Sequence, residues 1–375
     1  MAHAHDDRCY VIITKQHLRR YAVARSLFAP TTLGRAIHKL GFVQADPIRA
    51  PARSQDLVLR HRVKGYRAGD LERKYPLLDL EEDFFVNYGF LPRAHSELMH
   101  PRAPASSWTE HRRTQAEAIM DFVRERGSAH PKEVDAYFQH GRETNWFGGT
   151  SNASTRLLDE MHYRGWLRVA RRVAGTRVYA VRAAAVPEHD VPTIDDRMNA
   201  LVDLIVNKYA PLTARSLGHF LSLLCAGVPQ WKDRRSVALA CAKRRLGHAR
   251  VDGIDWYWPA GEKPNSARWQ SDDSVRLLAP FDPIVHDRGR FEAFWGWAYR
   301  FEAYTPAPKR KLGYYAMPLL CGDKVIGWSN MTVADGHLRG SFGYCSQRKP
   351  KAAEFRRALN AELQRMAEFL NVEIH

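Results

Sequence analysis

The sequence predicts an α+β protein in which tandem winged helix-turn-helix domains are followed by a C-terminal β-rich, barrel-like domain. One observation is a repeated order: three helical patterns and then a two-stranded β pattern occur over residues 106–182 and again over 195–259. This order is typical of a winged helix. The other observation is that short β-like runs follow from about residue 263, before a closing amphipathic helix.

These patterns divide the chain into four predicted domains. The first, residues 1–105, is winged-helix-like, and residues 106–186 and 190–262 form two winged helices. Residues 263–375 form the β-rich domain with a C-terminal helix. The proline-bearing link VPEHDVPTIDD separates the second domain from the third, as expected for a boundary.

The first domain contains short helical patterns around one strand-like run. KQHLRRYAVARSLF has helical spacing after Thr14, a residue that can cap the helix, and the next helix is predicted to stop at Gly41. The strand-like run GFVQA ends before Pro47, and RSQDLVLRHRV, residues 53–63, predicts a helix with several basic residues. The segment LDLEEDFFVNYG is expected to bury its aromatic rings, Phe84, Phe85 and Tyr88.

Helix ends are clearest in the second domain. The spacing predicts a long helix that ends at Gly127, a short helix opened by Pro131, and a third helix that ends at Gly165. Two β-rich runs follow, joined at Ala174-Gly175. The third domain repeats this order and has Asp252-Gly253 as the turn of its hairpin.

The charge of the chain indicates a polyanionic partner. Lys and Arg number 57 against 41 Asp and Glu, which gives a net charge of +16 and a pI near 9.8. Double-stranded DNA is the predicted partner. A membrane is not, because no apolar run approaches the roughly 20 residues of a spanning helix. The start MAHAHDDRCYVIITKQ lacks the pattern of a secretory signal, so we expect a cytoplasmic, nucleoid-associated protein.

Basic residues cluster in four places that could contact phosphates. Residues 156–177 carry six arginines against Asp159 and Glu160, a net charge of +4, on the third helix and wing of the second domain. A winged helix used for structure or protein contact is the alternative. The predicted DNA-binding residues are Arg49, Arg53, Arg60, Arg62 and Lys64; Arg156, Arg164, Arg168, Arg171 and Arg172; Lys243, Arg244 and Arg245; and Lys309, Arg310 and Lys311.

Signatures of common enzymes are missing from the sequence. It contains no phosphate loop, HExxH helix, GxSxG elbow or GxGxxG turn, and its five cysteines are scattered without partner histidines at zinc spacing. We therefore predict no metal, no cofactor and reduced thiols. On a strand, Gln44 and Asp46 face the same side, so they could hold one water between an amide and a carboxylate. Alternatively, Asp46 simply ends the strand ahead of Pro47.

Two runs carry a resemblance to a known family: GFVQADPIRAPARSQDLVLRHRV and LLAPFDPIVHDRGRFEAFWGWAYRFEAYTPAPKRKLGYYAMPLL. They resemble the YcaQ/AlkZ-like family of winged-helix DNA glycosylases, and the likeness extends over nearly the whole chain. In that family a concave basic surface surrounds DNA, and a Gln-x-Gln or Gln-x-Asp motif serves catalysis. The latter matches Gln44 and Asp46. Other members have an Arg-Asp-rich strand where this chain has GWSNMTVADG.

The resemblance implies a monofunctional glycosylase that removes N-alkylated purines and unhooks interstrand crosslinks. Asp46 would stabilise an oxocarbenium-like sugar and activate water, while Gln44 orients it. Such a monomeric enzyme would act on damaged DNA. A non-catalytic DNA-binding regulator is the alternative, since wings and basic patches suit both. The aromatic tract EAFWGWAYRFEAY could insert a wedge into DNA, but rings at this spacing are more often core.

Overall fold

The computed structural model describes residues 12–103, 106–144, 150–183, 192–346 and 352–374. Helices and sheets are mixed along the chain, so the predicted α+β class is confirmed. The prediction for the first residues, including a reduced Cys9, lies outside the described ranges. Four groups of elements follow one another along the chain.

The first group surrounds a small antiparallel sheet with the order β1-β3-β2. Thr14 caps α1 by accepting the N–H of His17, and Gly41 ends α2 in the left-handed region. The elements are α1 (Lys15–Ser26), α2 (Leu33–Leu40), β1 (Val43–Gln44), α3 (Ser54–Leu59), α4 (Asp70–Lys74), a 3-10 turn (Tyr75–Leu77), β2 (Leu80–Phe84), β3 (Tyr88–Pro92) and α5 (Arg93–Glu97).

A glycine fixes the position of β1 in this sheet. Gln44 lies opposite Gly89 in the antiparallel register. A Cβ at Gly89 would lie 2.3 Å from the Val43 carbonyl oxygen and 2.7 Å from the Phe42 ring, so only glycine fits without a shift of the backbone. The close approach of β1 and β3 therefore fixes the position of Ala45 and Asp46, which follow Gln44 in the chain.

Two expectations for this region are wrong in detail. The helix predicted over residues 53–63 ends at Leu59, because the N–H groups of Arg62 and Val63 both return to the Leu59 carbonyl in a turn. Of the three rings expected inside, only Phe85 is buried. Phe84 and Tyr88, at the two ends of the β2-β3 turn, line a cleft instead.

The second group has the predicted helices and wing hairpin with the predicted helix ends, but a short strand pair that was not predicted, residues 142–144 and 150–152, lies between its second and third helices. Thr109 caps its first helix, Pro131 opens its second, and Gly165 ends its third in the left-handed region. The elements are α6 (Glu110–Arg126), α7 (Pro131–Phe138), β4 (Arg142–Thr144), β5 (Thr150–Asn152), α8 (Ala153–Arg164), β6 (Leu167–Val173) and β7 (Thr176–Val181). We call β6 and β7, which form a hairpin, the wing strands.

The third group repeats the order, with β8 joining the hairpin to give the sheet β8-β10-β9. Thr193 and Thr213 cap the first two helices. Asp252 and Gly253 both have positive φ in the hairpin turn, as predicted. The elements are α9 (Ile194–Tyr209), β8 (Leu212–Thr213), α10 (Ala214–Leu224), a 3-10 segment (Pro229–Arg234), α11 (Arg235–Arg245), β9 (Gly247–Val251) and β10 (Ile254–Trp258).

The last group is a sheet with the order β11-β12-β13-β14-β15 and the long helix α13. Two runs predicted to be β-like are mostly not strands: VRLLAPFDPIVHD is extended only at its start, and YRFEAYTPA belongs to an irregular loop. The elements are β11 (Val275–Leu277), α12 (Arg288–Trp295), a 3-10 turn (Ala307–Lys309), β12 (Met317–Cys321), β13 (Lys324–Ala334), β14 (His337–Tyr344), α13 (Ala353–Leu370) and β15 (Glu373–Ile374).

Buried ion pairs join the first group to the last. Arg62 donates to both carboxylate oxygens of Asp282, at 2.8 and 3.1 Å, and both side chains are fully buried. Arg60 pairs with the buried Glu362 of α13 and donates to the Leu277 carbonyl at 3.1 Å. The two sequence runs that carry the family resemblance are therefore in direct contact.

Candidate active site

A cleft of about 470 Å³ opens where the first group of elements meets the wing strands. Asp46 and its neighbours Ala45 and Pro47 form one wall, and Phe84 and Tyr88 continue it. The opposite wall comes from α8 and from the wing strands, through Asp159, Arg172, Gly175, Thr176, Arg177 and Tyr179. The cleft therefore combines two carboxylates, those of Asp46 and Asp159, with aromatic rings and arginines.

Asp46 is held firmly through its backbone and one of its carboxylate oxygens. Its N–H donates to Oε1 of Gln55 at 3.1 Å, and its Oδ1 accepts the N–H of Ile48 at 2.8 Å. No described residue donates to its Oδ2. Burial raises the pKa of Asp46, and the Ile48 N–H opposes that rise. A desolvated carboxylate with a free oxygen is a competent base and a strong stabiliser of nearby positive charge.

Gln44 is buried two residues before Asp46, at the end of β1. Because the strand ends at Gln44, its alternation does not extend to Asp46, and Ala45 lines the cleft beside the aspartate. Gln44 is not among the described residues that line this cleft. Its Oε1 is inaccessible to solvent and has no hydrogen-bond partner in the described chain.

Two hydroxyl groups near Asp46 are also buried and unpaired, like the Oε1 of Gln44. Ser54 Oγ, next to the Gln55 that holds Asp46, and Tyr315 Oη are both buried without a well-formed hydrogen bond to any described group. Burial raises the pKa of Tyr315, the Ser54 hydroxyl lowers it, and the negative charge of Asp46 raises it further. Buried polar groups are normally paired with protein or with ordered water. The hydrogen-bonding capacity of these atoms is therefore not fully used by the described groups.

The arginines of the wing strands are engaged inside the protein. Arg172 donates to both oxygens of the buried Glu82 at 2.8 and 2.6 Å, and Arg168 donates to the buried Glu81 at 2.8 Å. The acids come from β2, some 90 residues earlier in the chain. The wing is thereby fixed to the first group of elements and forms a wall of the cleft.

The wing turn approaches the segment of Asp46 closely. Gly175 has a φ of +83°, and a Cβ there would lie 2.9 Å from Nη2 of Arg53. Arg53 itself pairs with Glu72 at 2.7 Å. Arg177 pairs with Asp159 at 3.1 Å, and its Cζ lies 5.3 Å from the centroid of the Tyr88 ring. The wing turn thus packs closely against Arg53 where both line the cleft.

The predicted DNA-binding residues fall into three sets. Arg60 and Arg62 are buried in ion pairs, so they cannot reach a phosphate, and the prediction is wrong for them. Arg53, Arg156, Arg164, Arg168, Arg172, Arg245 and Arg310 make internal polar contacts. The exposed set is Arg49, Lys64, Lys243, Arg244, Lys309 and Lys311, together with Arg171, which also donates to Ser128 Oγ at 3.1 Å.

Several residues of the site were missed by sequence reasoning. Ser54 and Gln55 lie in the run RSQDL, and Tyr315 lies in LGYYAMPLL, both within the segments that carry the resemblance. Their sequence signal was the resemblance itself, since neither spacing nor charge distinguishes them. Tyr88 was expected in the core because the turn that exposes it gives no strong local signal.

Other classes of site find no support in the residues that the structure describes. They contain no group of three or more His, Cys, Asp or Glu side chains placed to hold a metal ion. Cys225, Cys241, Cys321 and Cys345 are free thiols. Among the helices of the described ranges, none combines the length and the apolar character that crossing a membrane requires.

Two comparisons with known proteins agree with this architecture. A family model described as "DNA glycosylase AlkZ-like" matches residues 37–369. Among solved structures, the Streptomyces sahachiroi DNA glycosylase AlkZ superimposes with a TM-score of 0.60 at 13% sequence identity, and the match covers 97% of this chain and 99% of that one. At this identity the structural match shows a shared fold, and the family match includes Gln44, Asp46 and both walls of the cleft.

Proposed function

Because the chain belongs to the family of AlkZ-like DNA glycosylases, we propose that it is a monofunctional enzyme for alkylated bases with Asp46 as its catalytic carboxylate. The reaction is hydrolysis of the N-glycosidic bond of N-alkylated, cationic purines in double-stranded DNA, including purines held in interstrand crosslinks. One observation carries this proposal: Asp46 is a desolvated carboxylate with one oxygen fixed and the other free of described partners, on the wall of a cleft.

Breaking an N-glycosidic bond develops positive charge on the sugar, as in other glycoside hydrolyses. A carboxylate in a partly dry cleft stabilises that charge more strongly than one in water. The raised pKa of Asp46 also makes it a better proton acceptor for the attacking water. Asp46 therefore serves both as electrostatic stabiliser and as general base.

Gln44 supports this chemistry by positioning. Its unpaired Oε1, together with Ser54 Oγ and Tyr315 Oη, provides acceptors and donors for ordered water near Asp46. A water held by several such groups is oriented before the reaction, which lowers the entropic part of the barrier. Gln44 holds this water in line with the bond that breaks.

The substrate class follows from the lack of a general acid among the described residues of the cleft. The other carboxylate there, Asp159, accepts a hydrogen bond from Tyr179 at 2.6 Å and pairs with Arg177. N7- and N3-alkylated purines already carry positive charge, so they leave without protonation. Unmodified purines need an acid and are poor substrates on this proposal.

DNA binding is proposed to use the repeated units as winged helices, with the four domain bounds predicted from the sequence. The order of helices and wing in residues 110–181 and 194–258 supports this interpretation. The exposed cations Arg49 and Lys64 flank the catalytic segment, and Lys243, Arg244, Lys309 and Lys311 reach phosphates farther away. We propose that one copy of the chain suffices for binding and catalysis.

The test is base release from duplex DNA that carries N7-methylguanine, with abasic sites revealed by alkali. Asp46→Asn should reduce release by about 10²- to 10⁴-fold while DNA affinity stays near that of the wild type. Release by the wild type should fall as the pH falls through the raised pKa of Asp46, because only the ionised carboxylate acts.

The matched control is Asp56→Asn. Asp56 is another buried aspartate of the same segment whose pKa burial raises, but it binds Tyr66 and Gly69 rather than facing the cleft. The control should release base at nearly the wild-type rate. Since ionised Asp46 costs folding free energy above its raised pKa, Asp46→Asn should not lower the unfolding temperature at neutral pH. Unchanged release in a folded Asp46→Asn variant would contradict the assignment.

A further inference from the structure

The aromatic tract of residues 292–304 has one ring that packing does not explain. Tyr299 and Phe294 are buried, and Trp295, Trp297 and Phe301 pack partly against the core. The last ring, Tyr304, is 79% exposed, and its aromatic neighbour is Phe301, at 6.1 Å between centroids. The core accounts for the tract up to Phe301, so Tyr304 needs a separate explanation.

Packed rings connect Tyr304 to the residues around Asp46. The Phe301 ring, which lies 6.1 Å from that of Tyr304, also lies 5.3 Å from the ring of Tyr315, edge to face, between centroids. The charge of Asp46 raises the pKa of both Tyr315 and Tyr304, in agreement with this placement. An exposed aromatic ring therefore lies on the side of the site that Tyr315 belongs to.

A second aromatic ring and three cations accompany Tyr304 on the same loop. Tyr314 is 42% exposed, and the Arg310 guanidinium lies 5.0 Å from its centroid. Lys309 and Lys311 are exposed, and no described acid is paired with them. Aromatic rings interleaved with cations are typical of surfaces on which nucleic-acid bases stack while phosphates are neutralised.

The loop that carries these side chains is held in place. One oxygen of the buried Glu302 accepts the N–H groups of Lys311 and Leu312, at 2.8 and 2.7 Å. Arg310 donates to the Thr305 carbonyl at 2.7 Å, and Asn330 of β13 donates to the Leu312 carbonyl at 2.7 Å. Because the backbone is fixed on both sides, presenting the rings to DNA costs little ordering entropy.

We propose that Tyr304 is a DNA-stacking residue, whose ring stacks on an unpaired or unstacked base at the lesion while the damaged nucleotide faces Asp46. The inference rests on the proposed function for the identity of the substrate. Stacking on a ring offsets part of the energy lost when a lesion leaves the base stack. It reads no sequence, because every base has a flat aromatic face.

The test measures affinity, so it needs no base release. Fluorescence anisotropy would compare the affinity of each variant for a duplex with a tetrahydrofuran abasic analogue and for the same duplex undamaged. Tyr304→Ala should weaken binding of the abasic duplex by about 10- to 100-fold, with a much smaller change for the undamaged duplex. Tyr304→Phe keeps the ring and should bind like the wild type.

Two controls separate stacking from charge and from folding. Tyr137→Ala removes another exposed tyrosine, 66% exposed on α7, where it packs on Phe122 and Phe138, and it should bind like the wild type. The affinity of Tyr304→Ala for DNA should depend on salt as that of the wild type does, because the ring contacts no phosphate. Its unfolding temperature should also equal that of the wild type, because the ring is exposed.

Equal affinity of wild type and Tyr304→Ala for the abasic duplex would overturn the inference, even if the enzyme releases bases. If the wild type releases no base but Tyr304→Ala still weakens binding to the abasic duplex, the proposed function is contradicted and the stacking role stands. Loss of affinity in Tyr304→Phe as well would also overturn the inference, since the phenol rather than the ring would then be responsible.

Discussion

Two basic segments of similar appearance in the sequence have opposite environments in the structure. In the first, LRHRV, Arg60 is 3% exposed and Arg62 is fully buried, each paired with an acid. In the second, Lys309 and Lys311 lie exposed on a loop, and none of the acids in the described chain pairs with them. The density of cations in a sequence therefore does not distinguish those that hold the fold from those that can bind phosphate.

The arginines of the wing strands are intermediate between the buried arginines of the first segment and the exposed lysines of the second. Arg168 and Arg172 are partly exposed, yet both are bound to buried acids of β2. The net charge of +4 counted over residues 156–177 is thus opposed by Glu81 and Glu82 from elsewhere in the chain. Charge must be counted over neighbours in space before it indicates a binding surface.

The largest effect is expected at the fully buried pair. Arg62→Met leaves Asp282 buried without its partner, so it should lower the free energy of unfolding by about 3–5 kcal/mol, measured by urea denaturation. In the double variant Arg62→Met/Asp282→Asn part of this loss should return, because an asparagine still accepts the Ile284 N–H that Asp282 accepts at 3.0 Å. A loss below about 1 kcal/mol in Arg62→Met would contradict this expectation. The buried pair would then stabilise the fold no more than an exposed ion pair does.

An intermediate effect is expected at the wing. Arg172→Gln removes the bidentate partner of Glu82, which keeps only the Tyr88 hydroxyl at 3.0 Å among the described side chains, so about 1–3 kcal/mol of stability should be lost. Base release should fall with it, because Arg172 forms a wall of the cleft. The dependence of DNA affinity on salt should not change. A weaker salt dependence with unchanged stability would show instead that Arg172 contacts phosphate.

The smallest effect on stability is expected at the loop. In Lys309→Gln/Lys311→Gln the free energy of unfolding should change by less than about 0.5 kcal/mol. The slope of log affinity against log salt should become less negative by about 0.9 for each phosphate that the variant no longer neutralises. Lys324→Gln, at an exposed lysine that begins β13, is the control and should leave the slope unchanged. An unchanged slope in the double variant would remove this loop from the DNA interface.

Elements set by local signals were predicted well. The helix ends at Gly127, Gly165 and Pro131 and the turn at Asp252-Gly253 lie where the sequence placed them, because caps and positive-φ turns depend on a few adjacent residues. The predictions of an α+β protein and of a DNA glycosylase are confirmed. The winged-helix interpretation, the domain bounds and the roles of Gln44 and Asp46 stay predictions.

What failed depended on contacts between distant residues. No window of sequence shows that Asp282 neutralises Arg62, or that Glu82 neutralises Arg172, since the partners are 220 and 90 residues apart. The irregular loop predicted to be a strand, YRFEAYTPA, has β-forming residues but is shaped by Glu302, which binds backbone farther along the chain. The sequence did not reveal that Tyr315 belongs to the site near Asp46, because the two residues are far apart in the chain.

The ion pairs between the first and last groups of elements also form late during translation, because their partners are far apart in the chain. Arg62 and Arg60 leave the ribosome 220 and 302 residues before Asp282 and Glu362. At about 5–20 residues per second this is a delay of roughly 10–60 seconds. Until α13 has been synthesised, Arg60 in the segment that follows Asp46 lacks its acid partner, Glu362. The segment that follows Asp46 thus acquires the acid partner of Arg60 only after residue 362 has been synthesised.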